Sequence, residues 1–259
     1  AFLKKHNPSY AIFAESELWP FMLGAMRKRN IPASLINARL SSRSYKRWSK
    51  LPFLIKPMLS SFDTIFAQSE EEAQRYKSLT GSNNNAPRVL NPGNIKFAAK
   101  PLEADDADLV KLRAEVGTRP CLLYASTHSP EEILAARIHK VLRDHLPDLL
   151  TIIVPRHPER GSKLASEIDL PLARRSQNTP IQPNTQIYLA DTLGELGLFF
   201  RLCNIVIMGN SFTTTPGGGH NPIEPAHLDC AILYGPEMFN FKQINKEMIE
   251  AHAARQVSD

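Results

Sequence analysis

Cysteine is scarce in this chain of 259 residues, and its three cysteines, Cys121, Cys203 and Cys230, lie far apart in sequence. None has the CxxC or CxxH spacing of a zinc site, and an odd, scattered set does not make a disulfide framework. A reducing compartment fits this pattern best. No run approaches the roughly 18 apolar residues of a membrane-spanning helix, and the N-terminus lacks the basic-then-apolar layout of a signal peptide. We therefore expect that these residues do not span a membrane.

Acidic residues are missing altogether between Leu18 and Phe62, although the whole chain carries 26. The same window contains nine cations: Arg27, Lys28, Arg29, Arg39, Arg43, Lys46, Arg47, Lys50 and Lys56. They are interleaved with aromatic residues: Trp19, Tyr45, Trp48 and Phe53. Such a one-signed segment attracts anions, either a phosphorylated substrate, an anionic lipid or a nucleic acid. A basic face neutralised by partner charges from elsewhere in the fold is the alternative. No nucleic-acid-binding module is recognisable, so we predict no nucleic acid partner.

Short apolar runs alternate with helical patterns along the chain. The predicted strands are residues 10–14, 33–37, 64–67, 88–90, 121–125, 149–154, 187–189, 205–208 and 231–234. The predicted helices are residues 18–28, 105–116, 130–144, 158–168, 193–202 and 221–228, and one that begins at the capping box of Ser69 and Glu72. Continuous apolar strands between helices indicate parallel sheets covered on both faces. We predict an α/β fold with two Rossmann-like domains, residues 1–97 and 98–259, joined by a linker at residues 97–106.

Polar or small residues follow four predicted strands of the second domain. They are Ser126-Thr127-His128, Pro155-Arg156-His157-Pro158, Asp191-Thr192-Leu193-Gly194-Glu195 and Gly209-Asn210-Ser211. Each has a purely structural interpretation when taken alone: a hydrogen-bonded histidine, an ion-paired Arg156, or a helix cap by Asp191 or Thr192. Because ligands bind beyond the carboxyl ends of parallel strands, the convergence of these loops favours a binding site.

The run Gly217-Gly218-Gly219-His220-Asn221-Pro222-Ile223-Glu224-Pro225 joins a glycine turn to a marked helix start. Asn221 is a good N-cap, Pro222 suits the first helical position, and Glu224 completes a capping box. Glycines let backbone approach a ligand, and the free N–H groups of a first turn attract anions. The run predicts an anion or nucleotide site, with a well-capped helix that binds nothing as the alternative.

Eight collinear motifs give the chain a family resemblance. They are ESELWP (15–20), NARLSSRS (37–44), AQSEEEAQR (67–75), GNIKF (93–97), PRHPER (155–160), DTLGEL (191–196), GGHNPIEPA (218–226) and GPEMFNF (235–241). In this order they resemble the 3-deoxy-D-manno-octulosonic acid (Kdo) transferases of lipopolysaccharide and lipid A synthesis. The family's usual methionine in DTMGE is replaced by Leu193, an apolar exchange of similar volume that we expect to be mild.

The resemblance implies a GT-B glycosyltransferase whose second domain binds CMP-Kdo and whose first domain binds a lipid A precursor, lipid IVA. The implied donor contacts are Pro155, Arg156, Leu193, Gly194, Glu195, Asn221, Pro222, Ile223 and Glu224. Neither a metal nor another cofactor is implied. The basic segment, residues 27–56, then meets the phosphates of the acceptor and an anionic membrane surface. The implied location is the cytoplasmic face of the bacterial inner membrane, held peripherally or through an N-terminal anchor.

Inverting transfer needs a base that takes the proton of the acceptor hydroxyl, and stabilisation of the departing CMP phosphate. In the family, the glutamate regarded as the base and the membrane anchor precede the first motif found here, and further elements follow the last one. We therefore expect a fragment that retains donor binding but not the general base. Glu15 and Glu17 are not assigned as catalytic, and the pattern from Asp106 to Asp108 is interpreted as a solvated helix face.

Two alternative functions remain open at the sequence level. One is another GT-B enzyme or epimerase that uses a UDP-sugar, which a preference for UDP over CMP would reveal. The other is a non-catalytic domain that binds anionic lipid through the basic segment, with salt-sensitive binding that is indifferent to nucleotide.

Overall fold

The computed structural model describes residues 2–81 and 86–258, and the chain divides into two compact units. The first unit comprises Ala1–Ala99 and the second Lys100–Asp259. The division falls after Ala99 rather than after residue 97, inside the segment predicted as the linker. Each unit has its own parallel sheet and its own hydrophobic core, and the α/β class with parallel sheets is confirmed.

The first unit contains four parallel strands that pair in chain order. They are β1 (Ala11–Ala14), β2 (Ala33–Ala38), β3 (Thr64–Ala67) and β4 (Arg88–Leu90). The helices are α1 (Phe2–His6), α2 (Pro20–Arg27), α3 (Ser42–Trp48), α4 (Pro52–Leu59) and α5 (Glu70–Thr80), with a 3₁₀ turn at Ile95–Ala98. Proline begins α2 and α4, at the position where a missing N–H is tolerated. The core lies between the sheet and these helices, with Leu35 and Ile65 of the central strands fully buried.

The predicted capping box of α5 forms only in part. The Ser69 hydroxyl accepts the N–H of Glu72 at 3.3 Å, as predicted. The Glu72 carboxylate accepts instead the backbone N–H of Leu40, 3.2 Å away, in the loop after β2. Glu72 therefore joins α5 to the end of a neighbouring strand, a contact 32 residues away that no local pattern predicts.

The second unit contains seven parallel strands in the order β11-β10-β9-β5-β6-β8-β7. They are β5 (Cys121–Thr127), β6 (Leu150–Pro155), β7 (Leu172–Arg174), β8 (Ile187–Leu189), β9 (Ile205–Met208), β10 (Ala231–Tyr234) and β11 (Ala254–Gln256). The helices are α6 (Asp106–Val116), α7 (Glu131–Leu142), α8 (Gly161–Glu167), α9 (Leu196–Leu202), α10 (Ile223–Ala226) and α11 (Lys242–Glu250). Three 3₁₀ turns lie at Pro158–Arg160, Arg175–Gln177 and Phe239–Phe241.

Helices cover both faces of this sheet, as its apolar strands require. On β5, Leu123 belongs to the core cluster that includes α6, α9 and α11. Tyr124, the next residue, belongs to the opposite cluster, which includes α7 and α8. β5 is therefore buried on both faces of the sheet, so the carboxyl end of this strand is a rigid position for a binding site.

The three cysteines, far apart in sequence, come together in the second unit as free thiols. The thiol of Cys121, at the start of β5, lies close to that of Cys203, after α9. Cys230 lies beside them, with its thiol 3.6 Å from the carbonyl oxygen of Cys203. They meet at the amino edge of the sheet, since β5 begins there, opposite the edge where its loops carry polar residues.

Candidate functional site

The candidate site lies at the carboxyl edge of the seven-stranded sheet, where the strand order reverses. β5 has β6 on one side and β9 on the other, so the connections that leave β5 and β9 diverge at this point. Open α/β sheets bind ligands at such a switch point. His128 follows β5, Arg156 and His157 follow β6, and His220 ends the long loop after β9. Three of the four loops singled out in the sequence are thus neighbours.

Three histidines from these loops form one cluster. The Nε2 atoms of His128 and His220 are 3.2 Å apart, with ring centroids 5.3 Å apart and planes 17° from parallel. The His157 ring meets His128 edge to face, at a centroid distance of 5.4 Å. His128 and His220 are half-buried, whereas His157 is exposed. The pair of His128 and His220 is therefore partly sheltered from solvent, whereas the His157 ring beside it is exposed.

Burial keeps the His128 and His220 pair neutral. It lowers the pKa of His220 to about 4, with the nearby His128, Arg156 and His157 acting in the same direction. Burial also lowers the pKa of His128, against the opposing effect of the Glu131 carboxylate. Both imidazoles are consequently uncharged at neutral pH, and Arg156 is the permanent cation beside them.

Glu131, at the start of α7, holds the loops of this edge together. Its carboxylate accepts the backbone N–H groups of His128 at 2.9 Å and Asn210 at 2.6 Å through Oε2. It accepts those of Ser211 at 3.0 Å and Phe212 at 3.1 Å through Oε1. The residue is 2% exposed. One buried carboxylate thus saturates four backbone donors and fixes the end of β5 against the end of β9.

Glu132, the next residue, fixes the loop after β6. Its fully buried carboxylate receives a hydrogen bond from the Thr127 hydroxyl at 3.1 Å and two from the Arg160 guanidinium, at 2.7 and 3.3 Å. The backbone N–H of Arg156 donates to the Thr127 carbonyl at 2.9 Å. Arg156 itself is exposed, and no ion pair joins it to a carboxylate of the described residues. Its guanidinium stands on a rigid base and is available to an anion.

The glycine loop after β9 makes hydrogen bonds within the chain. The N–H of Gly218 donates to the Glu237 carbonyl at 3.0 Å, and that of Gly219 donates to the Asn210 carbonyl at 2.8 Å. A Cβ atom on Gly219 would overlap the sulfur of Met238. These glycines therefore let the loop pack against the segment around Met238, and their N–H groups are occupied within the chain.

The predicted helix at residues 221–228 is shorter than expected, since α10 spans only Ile223–Ala226. Asn221 caps it, with Oδ1 accepting the N–H of Ile223 at 3.3 Å. Glu224 does not return to the Asn221 backbone but accepts the Asn221 side-chain amide at 3.2 Å. Beyond α10, Asp229 has φ of +56° and turns the chain toward β10. Pro222 and Ile223 are buried, and burial raises the pKa of the half-buried Glu224.

Asp191, after β8, is a buried structural anion rather than the predicted helix cap. It accepts two hydrogen bonds from the Arg174 guanidinium, at 2.6 and 3.0 Å. It also accepts the backbone N–H of Ser176 at 3.0 Å and its hydroxyl at 2.8 Å. Burial raises the pKa of Asp191, but these hydrogen bonds outweigh it and the pKa lies below its usual value. The residue ties β7 to the end of β8.

Glu195 occupies the end of the same loop and is also engaged within the chain. Its carboxylate binds Arg175, with Nε 3.2 Å from each oxygen, and accepts the Thr192 hydroxyl. The helix predicted from Leu193 begins only after Glu195, because Gly194, with φ of +81°, reverses the backbone first. Leu193 is 74% exposed. The loop therefore presents the backbone of Leu193 and Gly194 to solvent.

The nine predicted donor contacts occupy three separate loops at this edge. Their structural settings differ: Pro155, Pro222 and Ile223 are buried, Arg156, Leu193 and Gly194 are exposed, and Glu195, Asn221 and Glu224 are half-buried. The sequence missed Glu131 and the pairing of His128 with His220, which joins residues 92 positions apart. The only local signal for Glu131 is an acid in a helix first turn, which is also the commonest position for a capping acid.

The first unit carries the acid-free segment as an exposed basic surface. All nine cations are exposed, and no ion pair joins any of them to the residues that the structure describes. α2 and α3 each pack on α4, and Phe21 of α2 at 95% exposure and Phe53 of α4 at 70% lie beside these charges. One of the nine cations, Arg39, lies near the buried Glu72 carboxylate and lowers its pKa without forming an ion pair.

The carboxyl edge of the smaller sheet carries two further features. Glu15, directly after β1, forms an ion pair with Lys96, at 3.4 Å, and Glu17 accepts the indole N–H of Trp19. A pocket of about 650 Å³ at the ends of β2 and β3 is lined mainly by apolar residues. Its lining residues are Ile36, Asn37, Phe66, Pro92, Gly93, Asn94, Ile95, Phe97 and Ala98.

Residues 2–81 and 86–258 lack two features that bear on function. No helix there has the length and apolar character needed to cross a membrane. No group of three or more His, Cys, Asp or Glu side chains within those ranges is arranged to hold a metal ion.

The amino-acid sequence matches known proteins over its whole length. Residues 1–99 match the family model of the 3-deoxy-D-manno-octulosonic-acid transferases (kdotransferases). The 3-deoxy-D-manno-octulosonic acid transferase of Rickettsia bellii (strain RML369-C) is 34% identical over 259 residues, covering 99% of this chain and 60% of that protein. The chain thus spans less than two thirds of the length of this curated relative.

Many solved structures resemble the chain. The C-terminal CMP-Kdo binding domain of WaaA from Acinetobacter baumannii is 35% identical, with a TM-score of 0.55, covering 59% of this chain and 81% of that one. A UDP-N-acetylglucosamine 2-epimerase is 11% identical, with a TM-score of 0.59, covering 99% of this chain and 62% of that one. At such low identity the second similarity shows the fold alone.

Proposed function

Because the chain belongs to the 3-deoxy-D-manno-octulosonic acid (Kdo) transferase family, we propose that it is part of an inverting GT-B glycosyltransferase. The reaction is transfer of Kdo from CMP-Kdo to a lipid A precursor, lipid IVA, in lipopolysaccharide synthesis. The second unit binds the donor and the first unit binds the acceptor. The general base is not assigned to any residue of this chain.

The observation that carries the proposal is the 35% identity to a solved CMP-Kdo binding domain, of which this chain covers 81%. The geometry of the second unit supports it. A permanent cation, Arg156, stands at the switch point of a parallel sheet, where nucleotides bind in this class of fold. Its loop is held by the buried pair of Glu132 and Arg160, so the cation is positioned before any ligand arrives.

Eight of the nine predicted contacts have a chemical role in this proposal. Arg156 binds the phosphate of CMP or the carboxylate of Kdo, since its guanidinium matches either oxyanion. The exposed backbone of Leu193 and Gly194 hydrogen-bonds the base, and Glu195, held by Arg175, fixes that loop. Glu224 accepts hydroxyl groups of the ribose, while Asn221, Pro222 and Ile223 shape the wall beside it. Stabilisation of the departing CMP phosphate then falls to the cationic edge of the site.

The first unit meets the acceptor at an anionic membrane surface in this proposal. Nine exposed cations that form no ion pair with a described carboxylate suit phosphates of a lipid headgroup, and Phe21 and Phe53 suit the interfacial region. The apolar pocket at the carboxyl ends of β2 and β3 is a candidate position for part of the acceptor. The enzyme then acts at the cytoplasmic face of the bacterial inner membrane.

We further propose that the transfer requires no metal. Arg156 supplies positive charge at the position of the leaving phosphate. Donor binding measured with and without EDTA tests this claim, and a loss of binding that added magnesium restores would contradict it.

Calorimetric titration of the purified chain with CMP and with UDP tests the donor assignment. We expect CMP to bind more tightly than UDP. Arg156→Ala should weaken CMP binding about tenfold or more, as expected for loss of a charged hydrogen bond, and Glu224→Ala should weaken it to a smaller extent. Arg137→Ala, which removes an exposed cation from α7, is the matched control and should change nothing. A folded chain that binds neither nucleotide would overturn the proposal.

A further inference from the structure

The His128 and His220 pair lies at the switch point of the sheet, yet none of the proposed donor contacts includes it. The two rings come from the connections after β5 and β9, which diverge there. Both backbones are held by one residue, Glu131. His128 donates its N–H to Glu131, and the loop that leads to His220 is bound to the same carboxylate through Asn210. The buried Glu131 carboxylate therefore holds the loops of both histidines, and this shared anchor keeps the two rings in contact.

The geometry of the pair determines which of its nitrogen atoms carry a proton. At an Nε2 to Nε2 distance of 3.2 Å, one ring must donate a hydrogen and the other must accept it. The two Nδ1 atoms are then left for other partners, and no hydrogen bond of the described residues engages either one. Uptake of one further proton keeps the N–H···N bond and gives the pair a charge of +1, with each Nδ1 able to donate.

The charges around the pair favour an incoming anion. Arg156 and His157 face both rings from the loop after β6. Glu131 and Glu132 face His128 from α7, but their oxygens are already engaged by backbone N–H groups and by Arg160. Burial lowers the pKa of both rings and outweighs the opposing effect of the two carboxylates on His128. An oxyanion bound beside the two rings raises their pKa, since an opposite charge favours the protonated imidazole.

We infer that His128 and His220, together with Arg156, form an oxyanion subsite that binds the phosphate of the nucleotide donor. This inference rests on the proposed function for the identity of the ligand. Binding of the phosphate is coupled to uptake of one proton by the pair, which returns to the neutral state when the nucleotide leaves. The two histidines are binding residues in this role, and Glu131 is the residue that positions them.

The first test compares CMP with cytidine, which lacks the phosphate, by calorimetry. His220→Gln and His128→Gln should each weaken CMP binding about tenfold while leaving cytidine binding unchanged. His145→Gln, at an exposed position beyond α7, is the matched control and should leave both affinities as they are. If either site variant weakens both ligands equally, or neither, the inference is wrong.

The second test separates this inference from the donor assignment. The pKa values of the two histidines are followed by proton NMR of the wild-type chain, with inorganic phosphate, with acetate and without added anion. We expect phosphate to raise the pKa of at least one of the two rings by a full unit or more, and acetate to raise it less. This result without nucleotide binding would retain the subsite and overturn the donor assignment, whereas CMP binding without any histidine shift would do the reverse. An equal or larger shift with acetate would point to a carboxylate subsite and contradict the phosphate assignment.

Discussion

The two units use positive charge in opposite ways. In the second unit, Arg160, Arg174 and Arg175 are bound to buried or half-buried carboxylates. In the first unit, the nine cations of the acid-free segment are all exposed and have no ion pair with a described residue. The same residue types therefore act as internal supports in one unit and as an open surface in the other.

This difference separates two kinds of function. A cation paired inside a protein positions the loops around it, and removing its partner leaves an unpaired buried charge that strongly destabilises the fold. An exposed cation adds little to stability but attracts external anions over a distance of about 8 Å at physiological salt. Substitutions in the second unit should thus change folding and site geometry, and those in the first should change association.

The largest expected effect is the loss of the Glu131 carboxylate. In Glu131→Gln the amide nitrogen faces backbone N–H groups that need an acceptor, so the free energy of unfolding of the chain should fall by about 3 kcal/mol. Urea denaturation followed by circular dichroism measures it. Glu167→Gln, at a solvent-exposed pair with Lys163, is the control and should change stability by less than about 0.5 kcal/mol. Equal effects of the two substitutions would contradict the role given to Glu131.

A somewhat smaller effect is expected from neutralising three cations on and after α3. The triple variant Lys46→Gln, Arg47→Gln and Lys50→Gln should weaken binding to anionic vesicles by about 2 to 3 kcal/mol, at about 1 kcal/mol per charge, with stability almost unchanged. Sedimentation with vesicles that contain anionic lipid measures this, and added salt should weaken the wild-type binding. The matched control neutralises Lys111, Arg137 and Lys140 in the second unit. If the control weakens binding as much, the contrast between the units is lost.

The acid response of the second unit gives the next effect. The pKa of Asp191 is lower in the folded chain than its unfolded value of about 3.9, so its contribution is fully present above that value. It is lost as the pH falls through the folded pKa. Asp191→Asn should lower stability at pH 7 and make the pH dependence between about 5 and 2 flatter than that of the wild-type chain. A parallel acid profile would show that Asp191 has no part in it.

The smallest effect, and the one of opposite sign, concerns Glu72 in the first unit. Burial raises its pKa, and its Oε2 has no hydrogen-bond partner among the described residues. A raised folded pKa contributes stability below the unfolded value of about 4.3 and loses it as the pH rises. Glu72→Gln should therefore be neutral or stabilising by up to about 1 kcal/mol at pH 8, with no gain at pH 4. Clear destabilisation at pH 8 would place Glu72 in the same class as Glu131.

The sequence was sufficient where burial alone determines structure. The strands at 64–67, 187–189, 205–208 and 231–234 were predicted residue for residue, because each is a short apolar run between turns. α3 and α4 were missed because the first buries no residue and the second contains Pro57. β7, α11 and β11 were missed as well, since the two strands, Leu-Ala-Arg and Ala-Arg-Gln, are not apolar runs and α11 is largely polar.

The sequence predicted which loops form the site, but not the contacts between those loops. Its location followed from the rule that ligands bind at the carboxyl ends of parallel strands, and the positions of Arg156 and Asn221 followed from motifs. The partners of Glu131 lie 79 to 81 residues away along the chain, apart from His128. The mate of His128 is 92 residues away. Such pairings depend on strand order, which a single sequence with local patterns does not encode.

The carboxylate of Glu131 fills a cradle of four N–H groups that would otherwise suit a free anion. In that sense the fold carries a permanently tethered ligand, and the external anion must bind further out, at the histidines. Truncation in Glu131→Gly would leave the cradle vacant and shaped for a small carboxylate. Formate or acetate added in solution should then restore part of the lost stability, as a detached side chain replacing the tethered one.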